Sequence, residues 1–274
     1  MQQNRNWKIS WNLSAGIFLL MLGISIISLS FPDLSRDNQF IQAVWRGNDW
    51  ITLLAAGPVF ALGLILSRRG SLTGELIRLG MLDYVLYNYA FYLTAAAFNI
   101  FFLPYVVLIV LSALGLLAGL LSLNAEQIKV CFRKVLPARW IAGYQLFVAL
   151  GLSGVYLTQY AAFVFTGELP SIISKSGHVT NIVPALDLTL LVPWLILGGG
   201  WLWQQKPWGY VLSSIMVVKG CLYTLVLAGA GYSAVRAGYP EAAAEIPLWA
   251  FLSLGFAVFS GLMLSGLGDQ KILE

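Results

Sequence analysis

Eight apolar windows, at about 12–31, 50–67, 80–98, 101–123, 141–165, 185–203, 208–230 and 247–267, follow one another with only short polar stretches between them. Each is long enough to cross a hydrocarbon layer about 30 Å thick at a helical rise of about 1.5 Å per residue. Lipid offers no water to satisfy backbone N–H and C=O groups, so windows of this kind must be helices. Composition points the same way, with 59% hydrophobic and only 10% charged side chains. The expected fold is all-α: a polytopic transmembrane helix bundle, one membrane domain over residues 1–274. The division between the third and fourth spans is the least secure, because 82–123 is almost unbroken. Asn99 and Pro104 bracket a turn there, and one helix of that length would overshoot the bilayer. Without that turn the count is seven.

Loop charges orient the chain. A cytoplasmic N-terminus puts Arg5, Lys8, Arg68, Arg69, Arg78, Lys129, Arg133, Lys134, Arg139, Lys206 and Lys271 inside. It leaves Arg36, Arg46, Lys175 and Arg236 outside, with Asp33, Asp37, Asp49, Glu168, Glu241 and Glu245. This is the positive-inside pattern and places both termini in the cytoplasm. The apolar run after Arg5 and Lys8 continues to Phe31 without a small-residue cleavage site, so a retained first span is expected. Phe40, Ile41, Val44 and Trp45 share one helical face and fit either a short helix lying on the outer leaflet or an ordered loop. The net charge of +4 comes from scattered basic residues that form no stripe, so the lipid bilayer and not nucleic acid is the expected partner.

An offset of about 135 residues lays Gly16 on Gly151, Pro58 on Pro193, Gly63 on Gly198 and Gly74 on Gly209. Glycine and proline make fixed demands on the backbone, and these are the residues in register. The halves 1–135 and 136–274 would then be two parallel four-helix repeats about an axis along the membrane normal. The fourth and eighth windows align only with an insertion.

Polar groups inside the windows mark the candidate site. Lys219 lies mid-window, where an ammonium is expensive by about 3 kcal/mol on insertion scales and must face protein or water. Asp187 enters the sixth window six residues before Pro193, and Gly198, Gly199 and Gly200 weaken that helix. The third window holds Asp83 and a stripe of Tyr84, Asn88, Tyr92, Ala95 and Asn99 at helical spacing. That stripe should turn inward, as a cavity lining or as hydrogen-bond contacts between helices, while Tyr89 and Phe91 are left for lipid. Lys219 is about 16 Å above its turn and Asp187 about 24 Å up the neighbouring helix, so Asp187 is the expected partner of Lys219 and Asp83 the alternative. The ligand-binding candidates are therefore Lys219, Asp187, Asp83, Tyr84, Asn88 and Tyr92.

Other chemistry has little to work with. The single histidine, His178, lies in a loop, no Gly-x-Ser-x-Gly elbow is present, and Cys131 and Cys221 sit in no paired motif. Asp83 and Asp187 are expected about 15 Å or more apart, too far for paired-carboxylate chemistry. No catalytic residue, metal ligand or cofactor is assigned.

Residues 178–220 resemble uncharacterised multi-pass membrane proteins of bacteria. The resemblance rests on Asp187, Pro193, Gly198, the turn Pro207, Trp208, Gly209, Tyr210, and the Lys219, Gly220 pair, with Gln204 and Gln205 where more basic residues are the pattern. It implies a bacterial inner (cytoplasmic) membrane setting and no particular activity. Three functions remain: a protein binding or transporting a small molecule, lipid or ion within the bundle; a non-catalytic partner or scaffold subunit; and an intramembrane enzyme. A cavity touching Lys219 separates the first from the second. The chain is open to assembly as a homo-oligomer or with a partner subunit.

Overall fold

The computed structural model describes residues 5–267, which are helical apart from turns and a single bridge between Phe132 and Leu267. Lys271 lies outside the described residues. Ten helices follow: α1 (Arg5–Ser30), α2 (Gln39–Arg68), α3 (Leu72–Ala95), α4 (Phe102–Leu121), α5 (Ala125–Cys131), α6 (Ala138–Thr166), α7 (Ser171–Ser176), α8 (Ile182–Trp203), α9 (Pro207–Arg236) and α10 (Ile246–Ser265). Among the described residues seven are long and apolar enough to cross a membrane: α1, α2, α4, α6, α8, α9, and α10 with its lead-in from Pro240. Seven such helices in an all-helical chain are compatible with an integral membrane protein. Helix α3 has 24 residues but carries Glu75, Arg78 and Asp83, all three buried.

The helices overrun the apolar windows, most of all at the start of α2. Asn38 caps that helix by accepting the Ile41 amide at 2.9 Å, and the helix then runs unbroken through 39–51. The surface helix or loop expected at Phe40 to Trp45 is thus the first half of a span. Ile41 and Trp45 are buried, Trp45 stacks on Tyr92 with centroids 4.3 Å apart, and its indole donates to Asp37 at 3.0 Å. Amphipathic spacing does not say whether an apolar face meets lipid or another helix, and here it meets α3. Asp49, expected in the outer loop, is consequently inside α2 and 1% exposed. Tyr89 is also buried against Tyr92 instead of facing lipid.

Helix α9 is the centre of the bundle: 83% of its apolar window is buried, against 22–39% in the other six spans. It packs on α2, α3, α8 and α10. Small residues permit these crossings. A Cβ on Gly80 would fall within 3.0 Å of Val218, and one on Gly47 would fall within 3.0 Å of the Gly229 backbone. In lipid, close van der Waals contact of this kind is the main attraction between helices.

Two hairpins in the bundle have the same local geometry 135 residues apart. α2 contains a π turn at Thr52–Ala56 ahead of Pro58, and α8 contains one at Asp187–Leu191 ahead of Pro193. Each proline lacks the amide that an α-helix needs, and the extra residue of a π turn accommodates the lost bond. Each hairpin then closes with a left-handed residue, Gly70 or Gln205, and the bonds Ser71 N to Leu66 O (3.1 Å) and Lys206 N to Trp201 O (2.9 Å) are equivalent. Gly74 and Gly209 touch the backbones of Leu66 and Trp201 respectively, again 135 residues apart.

Candidate functional site

The two faces of α3 carry two separate clusters. Asp83 and Tyr87, four residues apart, face α8 and α9. The stripe of Tyr84, Asn88 and Tyr92 faces α2. The stripe is buried throughout, at 1%, 4% and 2% exposure.

On the first face the Lys219 ammonium is fully buried. It meets Asp83 Oδ2 at 3.2 Å, donates to the Leu190 carbonyl at 3.0 Å, and lies 4.9 Å from the centre of the Tyr87 ring. Asp83 is therefore its ion-pair partner, and the pairing with Asp187 expected from helix heights is corrected. Height along parallel rods was the wrong measure. The ammonium points toward α3, and the π turn carries the Leu190 carbonyl into its reach. Leu191 in that turn has φ −119° and ψ −60°, well off α-helical values.

Asp187 is bound differently. Its Oδ1 accepts from Tyr87 Oη at 2.5 Å, its Oδ2 from Tyr156 Oη at 2.6 Å, and Tyr223 Oη lies 3.0 Å from both. Three helices, α3, α6 and α9, each supply one phenol to a fully buried carboxylate. Tyr87 joins the halves of this centre, its ring beneath the Lys219 ammonium and its hydroxyl on Asp187. The three tyrosines were absent from the candidate set. Their sequence separations from Asp187, 100 residues for Tyr87, carry no local signal.

On the second face Asn48 Nδ2 donates to Asn88 Oδ1 at 2.8 Å, Thr52 Oγ1 donates to Asn48 Oδ1 at 3.2 Å, and Thr52 meets Tyr84 Oη at 3.2 Å. Tyr92 Oη donates to Asp49 Oδ1 at 3.0 Å and Ser25 Oγ to the same oxygen at 2.9 Å. Asp49 Oδ2 and Asn88 Nδ2 are buried without a partner.

A third buried cluster joins α1 and α2 to α3. Arg78, expected in a cytoplasmic loop, is 0% exposed and pairs with Glu75 on the same helix. It also donates to Ser10 and Ser14 at 2.8 and 2.7 Å, while Ser67 and Trp7 donate to Glu75 at 2.5 and 3.1 Å. An acid and a base three residues apart at the head of a window neutralise each other, which is the signal that extends α3 back to Leu72.

Two cavities open on the surface. One of about 350 Å³ is bordered by Leu123, Glu126 and Trp208, and one of about 610 Å³ by Arg139, Tyr144, Trp203 and Phe259. Neither borders Lys219 or Asp187. No family model, curated protein or solved structure matches this chain.

Proposed function

We propose that this protein binds a proton at the Asp187 centre, as a membrane-embedded ion-binding or ion-transporting protein. The observation that carries the reading is the charge tally of the interior. Among the described residues six acidic or basic side chains are buried. Glu75 with Arg78 and Asp83 with Lys219 cancel, whereas Asp187 and Asp49 form no ion pair among the described residues. A carboxylate removed from water without a cation is costly enough that positive charge must be supplied. Tyrosine hydroxyls suit a centre that alternates between two charge states, because each can turn from donor to acceptor as the carboxyl gains or loses its proton. Lys219 is fully buried against Asp83, the Leu190 carbonyl and the Tyr87 ring, and a proton needs no cavity. Lys219, held by Asp83 and by the distorted turn that contains Asp187, is the internal countercharge.

The eight-span topology is part of this proposal. Helix α3 has the length of a span and turns Glu75, Arg78 and Asp83 inward, which makes it compatible with lipid. The matched π turns, prolines and closing turns at an offset of 135 support a duplicated pair of halves. Both termini inside a bacterial inner membrane complete the reading. Single cysteines at Ser71 and Arg236, in a background lacking Cys131 and Cys221, then label from opposite sides.

The test is infrared difference spectroscopy of the purified protein between acidic and alkaline buffer. A carboxyl band that appears on acidification, shifts in Tyr156→Phe and vanishes in Asp187→Asn is expected. The same band in Asp187→Asn refutes the assignment. A non-catalytic partner subunit is the second reading, favoured by the burial of Lys219 in an ion pair with Asp83 that ties two helices, and it predicts no such band.

A further inference from the structure

We infer that the Asp49 centre, between α1, α2 and α3, is a separate binding site for a monovalent metal cation. The inference does not rest on the reading of Asp187. Asp49 is 1% exposed, and both of its hydrogen bonds, from Ser25 Oγ and Tyr92 Oη, fall on Oδ1. Oδ2 is left buried with no partner. Ser28, one turn beyond Ser25 on α1, brings a second serine hydroxyl beside the carboxylate without closing a hydrogen bond on that oxygen.

Three occupants can be weighed against this geometry. A proton on Oδ2 would have only the neighbouring Ser28 hydroxyl as an acceptor, and no well-aligned hydrogen bond joins the two. A water would satisfy the atom and leave the charge uncompensated. A metal cation answers both, needing only oxygen lone pairs, which Asp49, Ser25, Ser28 and Tyr92 supply. Oxygen donors select hard cations over transition metals. Valence follows from charge: one carboxylate neutralises one positive charge, and a divalent ion would leave a net charge in a medium of low dielectric. The stacked rings of Trp45 and Tyr92 close the centre toward the loop that holds Asp37.

The test is thermal unfolding of the full chain in detergent, with choline chloride replaced by sodium, potassium or lithium chloride at constant ionic strength. Ligand that binds only the folded state raises the melting temperature with concentration. The wild type should show a rise with at least one of these ions, and the best one identifies the cation. Asp49→Asn should abolish the response and Asp187→Asn should retain it. Should Asp49→Asn fail to fold, Ser25→Ala decides, with the half-saturating concentration expected to rise about tenfold for the loss of one ligand oxygen. Identical melting of the wild type in all four salts overturns the proposal, as does a full ion response in Asp49→Asn or an unchanged half-saturation in Ser25→Ala. A rise on acidification with no response to any salt also overturns it and makes Asp49 a proton site.

Discussion

Replacing Lys219 with methionine keeps most of the side-chain volume and removes the charge, so it isolates the ion pair with Asp83. Removing one partner of a buried pair costs about 3–5 kcal/mol, because the other charge is left uncompensated. Asp83 is 7% exposed and can recover some hydration, which places Lys219→Met near the lower end, about 3 kcal/mol. Asp83→Asn leaves the ammonium itself, 0% exposed, with only the Leu190 carbonyl and the Tyr87 ring, and should cost about 4 kcal/mol. The double variant leaves no orphaned charge. It should be less damaged than the sum of the two by at least about 2 kcal/mol. With Asp187→Asn in place of Asp83→Asn the coupling should stay under about 1 kcal/mol, since the two residues form no ion pair and meet only through Tyr87, the turn that holds Leu190 and a weaker electrostatic attraction. Reversible unfolding in mixed micelles, followed by the fluorescence of the ten tryptophans, measures all of these. Additivity of Lys219→Met with Asp83→Asn, or a larger coupling to Asp187, would refute the assignment of the pair.

Three further outcomes follow from the packing. A Cβ at Gly74 or Gly209 would lie within 3.0 Å of backbone, so each Gly→Ala change should cost about 1–3 kcal/mol in the same assay. Gly16→Ala meets nothing within 4 Å and should be neutral or slightly stabilising, and equal effects at all three positions would contradict the close approach. Asn88→Leu strands Asn48 Nδ2 and should cost about 1–3 kcal/mol, more than Phe91→Leu, whose ring only edges against Trp45; equal losses would place the stripe outside the bundle. Arg78→Met should destabilise by about 3–5 kcal/mol through the orphaned Glu75, and a loss below that of an exposed arginine such as Arg236 would show that the pair is not buried.

The sequence by itself determined the membrane class, the approximate place of every long helix, the turn near Asn99, the inward direction of Tyr84, Asn88 and Tyr92, and the need of Lys219 for a partner. These are local quantities. Window hydropathy measures the cost of leaving water residue by residue, and helical spacing decides which side chains share a face. Only the tertiary structure decided that the partner is Asp83, that Asp49 and Arg78 lie inside the bundle, and that Asp187 is gripped by phenols from three helices. Those facts depend on how each helix is rotated about its axis and which neighbour it meets. That is set by close contacts such as Gly47 on Gly229 and Gly80 on Val218, between residues more than a hundred positions apart. In lipid an apolar face gains almost nothing from meeting another apolar face instead of a hydrocarbon tail, so hydropathy cannot rank the partners. The π turn at Asp187–Leu191 adds a second reason, because its extra residue redirects the Leu190 carbonyl toward Lys219 in a way that ideal helical counting does not contain.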